Sequence, residues 1–399
     1  MAAASLLTAS QAAEKLGIRP ASLYSYVSRG LLRRESGPDG RSWFRREDIE
    51  RLSQRGRPRH EVDMADVPVQ SELTAVADGM CFLRGRDVLQ LATGNNFEAA
   101  SEWFWTGSSA TPTPVGPWAP NPAAAPIVAL IERLSEALPL DALRLAAAAL
   151  APADPLRYNL EPDVVITTGR RLISGLVDSL PGRATTGTLA RRLWSRLGGR
   201  SSPRTTALLD GALVLLLDHD LSLSTLSARM AASLEADPYA VVAVGLNSLG
   251  GPLHSVASLA AEDLLEEISR PEDVSAAVNS RLRRGSRLPG FGHRLYPNGD
   301  PRAGFLLSAL HGSGGPVIRL NVIDSVVNLT RSRGLPPPNV DFALAAIANV
   351  HGLVRGASEA IFGIARSSGW IAHALEQYDR GVRLRPRLVY LGAPRPLER

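Results

Sequence analysis

Residues 288–303 read Leu-Pro-Gly-Phe-Gly-His-Arg-Leu-Tyr-Pro-Asn-Gly-Asp-Pro-Arg-Ala, a short irregular segment that holds a histidine and an arginine. Gly290 and Gly292 allow a positive φ or a close approach of a ligand to the backbone, and three prolines stiffen the segment. The composition therefore predicts a loop that carries His293 and Arg302. Taken alone, the same segment is equally compatible with a surface turn, so its meaning depends on the rest of the chain.

The composition around this loop is that of a globular protein with two or three domains. The chain has 399 residues, more than one core usually holds, and 45% of them are hydrophobic. The apolar run at 211–217 is far shorter than the roughly 20 residues that span a bilayer, and the first residues do not form a secretory signal. The single cysteine, Cys81, excludes an internal disulfide, and the histidines do not show a metal-binding spacing. These features predict a cytoplasmic protein with no metal and no membrane association.

Positive charge is concentrated at the amino terminus. Residues 1–60 contain twelve Lys/Arg and six Asp/Glu, a net charge of +6, whereas residues 61–399 contain 32 and 33, a net charge of −1. This asymmetry predicts a module that faces nucleic acid, attached to a different kind of domain.

The amino-terminal pattern is typical of a winged helix-turn-helix. A capping box at Thr8 and Gln11 begins one short helix, and Pro20 occupies the first position of a second. A Gly-Pro-Asp-Gly turn at 37–40 between arginine-bearing segments predicts a small wing. The segment resembles the MerR-type or excisionase-like helix-turn-helix over about 55 residues. In such a module the second helix enters the major groove and the wing meets phosphate.

Several side chains of this module are the expected DNA contacts. They share a position on the second helix or the wing: Arg19, Ser22, Tyr24, Arg29, Arg33 and Arg41. A small basic domain that serves for protein interaction or packing is the alternative. Residues 54–70 have the composition of a linker.

The remainder of the chain is predicted to be mainly α-helical. A small hairpin precedes a helix at 86–92, a second helix follows at 97–105, and residues 106–126 form an irregular excursion. Apolar residues then recur at three and four through further predicted helices, at 127–138, 140–149, 169–180, 186–196, 204–217 and 222–234.

Polar groups at the edges of these helices are the candidates for chemistry. His219 follows an apolar helix, His254 follows Gly-Gly-Pro-Leu, and Asp341 stands at a proline-rich helix entry. Each histidine is also compatible with a structural role, and Asp341 with simple helix capping. Arg366 lies on an otherwise apolar helix at 361–375, where a buried guanidinium needs an anionic partner.

Six motifs in order resemble the citrate synthase family. They are Asp-His-Asp at 218–220, Gly-Gly-Pro-Leu-His at 250–254, Pro-Gly-Phe-Gly-His-Arg-Leu-Tyr with Asp-Pro-Arg at 289–302, Pro-Asn-Val-Asp-Phe at 338–342, Ala-Arg-Ser-Ser-Gly-Trp-Ile-Ala-His at 365–373 and Arg-Pro-Arg at 385–387. The resemblance covers residues 71 to 390. It implies a two-domain helical fold at 61–399, with a large part at 71–254 and 351–399 and a small domain at about 255–350, preceded by the helix-turn-helix domain at 1–60.

The resemblance also implies a reaction and its residues. Citrate synthases condense acetyl-CoA with oxaloacetate and hydrolyse the resulting thioester, with no cofactor and no metal. By the match of motifs, Asp341 would be the base, His254 the donor to the enolate oxygen and His293 the acid at the oxaloacetate carbonyl. The expected substrate ligands are His219, Arg302, Arg366 and Arg385.

Further implications concern CoA and assembly. The CoA contacts would include Arg284, Arg287, Gly290, Gly292 and Arg387. In the family the arginine that matches Arg385 comes from the partner subunit, so a homodimer with shared active sites is expected. Residues 255–258 read Ser-Val-Ala-Ser where the family usually has Gly-Gly-Ala-Asn. Two alternatives stay open: a 2-methylcitrate synthase that uses propionyl-CoA, and a DNA-binding metabolite sensor with an inactive synthase body.

Overall fold

The computed structural model describes residues 6–16, 18, 20–28, 32–37, 42–45, 48–49, 69–107, 111–134, 136–182, 186–251, 256–283 and 287–385. Its internal contacts divide the chain into two compact units, Met1–Val69 and Gln70–Arg399. The domain boundary at residues 60 and 61, and the separation of a small domain at about 255–350, remain predictions.

The first unit combines two helices with a three-stranded antiparallel sheet. Its elements are β1 (Leu6–Thr8), α1 (Ala9–Leu16), α2 (Pro20–Ser28), β2 (Glu35–Ser36) and β3 (Ser42–Arg45), with the sheet order β1-β3-β2. Leu7 pairs with Phe44, and Glu35 pairs with Trp43. A small core forms from Leu7, Ala12, Leu23, Leu32, Phe44 and Ile49.

The predicted start of α1 is confirmed. The Thr8 amide donates to Oε1 of Gln11 at 3.0 Å, and the Gln11 amide donates to Oγ1 of Thr8 at 3.3 Å. This is the reciprocal capping box that the sequence predicted. Pro20 is the first residue of α2, also as predicted, because its missing N–H has no partner at that position.

The second unit begins with the predicted hairpin. Strands β4 (Thr74–Ala77), β5 (Met80–Leu83) and β6 (Arg86–Asp87) form an antiparallel sheet in the order β4-β5-β6. Helices α3 (Val88–Gly94) and α4 (Phe97–Thr106) follow. In the described part of the next segment, a 3-10 turn at Pro122–Ala124 is the regular element before α5 (Ala125–Ile131), which agrees with the predicted irregular excursion.

The rest of this unit is helical, as predicted. Its helices are α6 (Pro139–Leu150), α7 (Pro162–Ser179), α8 (Leu189–Arg196), α9 (Pro203–Leu215), α10 (Leu223–Ala232), α11 (Pro238–Leu249), α12 (Val256–Glu266), α13 (Val274–Arg283), α14 (Pro301–His311), α15 (Val317–Ser332), α16 (Val340–His351) and α17 (Ala357–Arg380). Short 3-10 turns lie at Ala151–Ala153 and Pro271–Asp273.

Two predicted helices were wrong in their length: the one at 169–180 begins earlier, since α7 starts at Pro162, and the one at 127–138 ends earlier. Helix α5 ends at Ile131, and Leu138 adopts an extended conformation with ψ 159° before Pro139 begins α6. The residue before a proline disfavours the helical region, so the chain must leave the helix before that point. The recurrence of apolar residues at 132–138 gave no sign that the helix ends at Ile131.

Helix α17 is the centre of the second unit. It packs against α4, α6, α7, α10, α11 and α16, and most of its residues from Ala357 to Ala374 are buried. Helix α16 in turn packs against α12, α14 and α15. The ends of these helices position the polar groups considered below. None of the helices in the described ranges is long and apolar enough to cross a membrane.

Candidate active site

The loop at 288–303 has a structural need for glycine at Gly290. Its φ is 79°, and a Cβ placed there would lie 2.9 Å from the backbone N of Phe342. Residues other than glycine rarely adopt this φ, and the contact is shorter than a carbon atom tolerates. Gly290 therefore lets the loop pack directly against the first turn of α16.

Main-chain hydrogen bonds join the same loop to the segment before α16. The Gly292 amide donates to the Pro337 carbonyl at 2.7 Å, and the Asn339 amide donates to the Gly290 carbonyl at 2.9 Å. The Asn339 side chain also donates to the Gly292 carbonyl at 3.0 Å. His293 and Asp341, which are distant in sequence, are consequently held on one rigid body.

Asp341 does not cap its helix. Asn339 is the cap of α16, because its Oδ1 accepts from the amides of Asp341 at 3.0 Å and Phe342 at 3.4 Å. The Asp341 carboxylate instead accepts a hydrogen bond from the Ser258 hydroxyl, 2.5 Å from Oδ1. Burial raises the pKa of Asp341, while the Ser258 hydrogen bond and the positive charge of Arg302 partly oppose that shift.

His219, His293 and Tyr296 form one aromatic cluster. The His219 ring meets the His293 ring edge to face, with centroids 5.4 Å apart, and its Nε2 lies 2.6 Å from the Tyr296 hydroxyl. Burial, reinforced by Arg302, lowers the pKa of both histidines. Both imidazoles are therefore neutral near pH 7.

The hydrogen bonds of His293 define its tautomer. Its Nδ1 accepts from the backbone amide of Leu295 at 3.2 Å, so in the neutral ring the proton resides on Nε2. A neutral imidazole in this state presents one N–H donor away from its own backbone. It can donate to an oxygen of a bound molecule without carrying charge.

The charge of Arg302 is balanced by a neighbouring carboxylate. Its Nε and Nη2 contact Oδ1 and Oδ2 of Asp300 at 3.0 and 2.9 Å, a bidentate ion pair in which both side chains are buried. Asp300 also caps α14 by accepting from the Arg302 amide, and it accepts from the Val340 amide at 3.1 Å. The positive charge of Arg302 lowers the pKa of Asp300. The Asp300 carboxylate thus holds Arg302 in place and accepts hydrogen bonds from the first turns of α14 and α16.

Arg366 has a different environment. It is 1% exposed on α17, and its Nε donates to the Leu216 carbonyl at 2.9 Å. Its guanidinium also lies over the Phe362 ring at 4.8 Å. No carboxylate in the described ranges forms an ion pair with it, and burial lowers its pKa to about 10. A buried cation without a paired anion favours binding of a small anion.

The negative charge of Asp218 acts on Arg366, but the Asp218 carboxylate is hydrogen-bonded to His373. Its Oδ2 accepts from Nε2 of His373 at 2.9 Å, and Nδ1 of His373 accepts from Arg229 at 2.8 Å. Since a guanidinium only donates, His373 must be the neutral tautomer with its proton on Nε2. The Arg229 charge is in turn paired with Glu376. This buried chain of contacts ends beside His219.

The predicted site residues divide into those that lie together and those that do not. The structure brings five of them together near the ends of α9, α14 and α16 and the middle of α17: His219, His293, Arg302, Asp341 and Arg366. Arg287 and Arg385 are exposed and contribute to none of the contacts above. Three further predicted residues lie outside the described ranges: His254, Arg284 and Arg387.

The predicted DNA contacts are only partly within the described residues. Ser22, Tyr24 and Arg33 are exposed. The others lie outside: Arg19, Arg29 and Arg41.

A family model described as "Citrate synthase, C-terminal domain" matches residues 64–387. The chain belongs to the citrate synthase family. The resemblance predicted from the six motifs is thereby confirmed, and family membership supports a condensing transferase that uses CoA substrates without a cofactor.

Individual relatives agree. Citrate synthase 2 of Bacillus subtilis is 31% identical over 270 residues, covering 64% of this chain and 73% of its own. Citrate synthase of Haloferax volcanii is 36% identical over 188 residues, covering 46% of this chain; the match spans about half its length, 49%. A ternary complex of Thermoplasma acidophilum citrate synthase with carboxymethyl coenzyme A and oxaloacetate superimposes with a TM-score of 0.70 at 23% identity, covering 83% of this chain and 96% of that one.

The last likeness confirms the predicted mainly helical citrate synthase fold. The amino-terminal helix-turn-helix stays a prediction, because the family match begins at residue 64. Within the described ranges, no cluster of His, Cys, Asp or Glu is arranged to hold a metal ion.

Several residues of this candidate site were not identified from the sequence. Tyr296, Asp300, Asn339 and Ser258 contact the predicted residues directly. The signal for two of them was present: Asp300-Pro301 and Asn339 have the spacing of helix caps. Cys81 also lies near these residues, since the charges of Arg302 and Arg366 act on its thiol. Burial nevertheless raises the pKa of this thiol to about 11.

Proposed function

We propose that this protein is an active citrate synthase, which condenses acetyl-CoA with oxaloacetate and hydrolyses citryl-CoA to citrate and CoA. The observation that carries the proposal is the buried guanidinium of Arg366, which has no ion-pair partner in the described ranges and lies on the same side of the fold as His219. A carboxylate of a dicarboxylate substrate supplies the anionic partner that this guanidinium lacks.

The chemistry requires a base, a hydrogen-bond donor and an acid. The Asp341 carboxylate removes a proton from the methyl group of acetyl-CoA, and its burial supports this role because burial makes the carboxylate more basic. His254 donates to the enolate oxygen. The enolate carbon attacks the carbonyl carbon of oxaloacetate, and Nε2–H of His293 supplies the proton that the new alkoxide takes up.

Substrate recognition follows from charge. Arg366, Arg302 and Arg385 bind the two carboxylates of oxaloacetate, and His219 contributes a further hydrogen bond. Arg302 meets the substrate with the N–H groups that Asp300 leaves unoccupied. Water then hydrolyses the thioester and releases CoA, which Arg284, Arg287, Arg387 and the loop at Gly290 and Gly292 bind.

A homodimer with shared active sites is part of the proposal. Helices α10 and α11 expose Leu223, Met230 and Val244, and the turn between them exposes Leu234; Leu223 and Leu234 are 50% and 71% exposed. Apolar side chains on neighbouring helices support an interface between copies. Arg385, exposed after the end of α17, then reaches the partner's site.

Release of CoA tests the activity. The purified chain is given oxaloacetate with acetyl-CoA, then with propionyl-CoA, and free thiol is followed. Faster release with acetyl-CoA supports the proposal, whereas faster release with propionyl-CoA favours a 2-methylcitrate synthase. Binding of oxaloacetate without release from either thioester contradicts the enzymatic function and leaves the metabolite-sensing alternative.

DNA binding by the first unit is the second candidate function. The net charge of +6 in residues 1–60 and the exposed side chains of Ser22 and Tyr24 on α2 favour it. We expect a mobility shift on DNA from upstream of its own gene that weakens steeply with salt. Unchanged binding after deletion of residues 1–60 contradicts this function.

A further inference from the structure

Ser258 is in direct contact with the proposed base. It lies on the first turn of α12, is 1% exposed, and its hydroxyl is 2.5 Å from Oδ1 of Asp341. A serine hydroxyl has one proton, and a buried carboxylate at this distance is its acceptor. The second oxygen of Asp341 takes part in none of the hydrogen bonds within the described ranges.

Helix α12 is fixed firmly enough to hold Ser258 in place. One turn after Ser258, and on the same face of the helix, Glu262 accepts from the amides of Gly356 and Ser358 at 2.6 and 2.8 Å. These amides begin α17, so Glu262 ties α12 to the helix that carries Arg366. Ser258 is therefore positioned by the fold rather than by Asp341 alone.

Among the described residues, two further groups act on Asp341. Arg302 attracts its negative charge and Asp300 repels it, both from the start of α14. On α12 the group that acts on it is Ser258, and no charged group of α15 or α17 in the described ranges contributes to its shift. Because Arg302 and Asp300 neutralise one another, Ser258 is the specific polar contact of this carboxylate among the residues that the structure describes.

We propose that Ser258 is a positioning residue for the reaction: it holds Oδ1 of Asp341 so that Oδ2 alone faces the methyl group of the thioester. The inference rests on the proposed role of Asp341. A carboxylate free to rotate would offer its proton-accepting lone pair in the right direction for a smaller fraction of the time. The usual asparagine of the family at this point is replaced by a shorter donor.

The test compares S258A with S258T in the full-length chain. For S258A we expect kcat to fall about tenfold with an unchanged KM for oxaloacetate. We also expect the acid limb of the kcat/KM profile for acetyl-CoA to move up by about one pH unit, because the ionised base loses a hydrogen bond. S258T keeps the hydroxyl and should restore the position of the limb. An acid limb that S258A leaves unmoved overturns the proposal.

A second measurement separates this inference from the activity itself. The thermal midpoint of S258A relative to wild type should fall further at pH 8 than at pH 5, since the lost hydrogen bond stabilises the ionised carboxylate. In a D341N background this pH dependence should vanish. If wild type releases no CoA but the pH dependence is present, the positioning contact stands and the proposed function fails. An equal effect at both pH values, or one retained in D341N, shows that Ser258 acts by packing and overturns the inference.

Discussion

The Tyr296 hydroxyl lies 2.6 Å from Nε2 of His219, and the Tyr296 ring also contacts His293 at a centroid distance of 4.9 Å. The Arg302 guanidinium also lies over this ring, 5.4 Å from its centroid. Tyr296 therefore sets the positions of three side chains that we assign to the substrate. Burial raises its pKa, so the phenol stays protonated at any pH at which the protein works.

Removing this hydroxyl should weaken substrate binding. In Y296F, Nε2 of His219 loses its partner in a buried site, at a cost of about 1–2 kcal/mol. We expect the KM for oxaloacetate to rise about tenfold while the KM for acetyl-CoA changes little. Tyr158, which is 71% exposed, provides the control variant Y158F. A loss of thermal stability with no change in KM would contradict the assignment.

Substitution of the two buried arginines should have different effects, on stability for Arg302 and on oxaloacetate affinity for Arg366. R302M leaves Asp300 as a buried, unpaired carboxylate, and we expect a loss of about 3–5 kcal/mol in the free energy of unfolding. R366M removes a cation that has no carboxylate partner in the described ranges. It should cost at least about 2 kcal/mol less than R302M, yet lower oxaloacetate affinity about 100-fold or more.

Denaturant unfolding and calorimetric titration with oxaloacetate measure these two effects. Equal destabilisation by both substitutions would show that Arg366 has an internal partner. Retained oxaloacetate affinity in R366M would remove the arginine from the substrate site.

Stability should depend on pH through Asp210 on α9. This carboxylate accepts from the Phe97 amide at 3.0 Å, and burial next to Glu98 raises its pKa from 3.8 to about 7. A raised pKa means that the folded state binds the proton more tightly, so the stabilisation is complete below pH 4 and is lost as pH rises to 7. D210N removes this dependence and keeps an acceptor for Phe97.

We expect D210N to be more stable than wild type by about 2–4 kcal/mol at pH 8 and nearly equal to it at pH 4. Denaturant midpoints across this range provide the measurement. The exposed Glu136 gives the matched control E136Q, which should show no such difference. A constant difference between D210N and wild type at all pH values would refute the titration of Asp210.

The tautomer of His373 also has a consequence. Glutamine can donate to Asp218 through its amide and accept from Arg229 through its carbonyl, so it reproduces both contacts. H373Q should therefore retain stability within about 1 kcal/mol, whereas H373L should lose about 3 kcal/mol because Asp218 stays buried without a partner in the described ranges. Thermal unfolding of the two variants distinguishes them, and equal losses would contradict the tautomer.

The sequence predicted the helical body and the main site residues because both leave local signals. Apolar recurrence identified α6 to α10, and the motifs around His219, His293 and Arg366 identified residues that the fold brings together. The contacts that fix these residues left weaker signals. Ser258 and Tyr296 are ordinary residues of a helix and a loop, and their roles depend on partners 83 and 77 positions away. Contacts between residues so far apart in the sequence arise from tertiary packing, which the local recurrence of apolar residues does not determine.

Asp341 illustrates the same limit. Its position at a helix start was compatible with capping, and only the contacts of Asn339 show that another residue does so. Similarly, the glycines of the loop were expected to admit CoA, whereas Gly290 is already required by its contact with Phe342. Binding of CoA by this loop remains a prediction.

The hydrogen bonds between Gly290, Gly292, Pro337 and Asn339 have one more implication. Two of them join main chain to main chain and the third comes from Asn339, so the separation of the proposed acid and base does not depend on the side chains that would contact the substrate. Substitutions on α9 and α17, which take no part in these hydrogen bonds, are therefore free to change which acid or thioester binds while the proton-transfer geometry is kept. A directed-evolution library aimed at new acyl donors should consequently vary those two helices and leave residues 290–292 and 337–341 untouched.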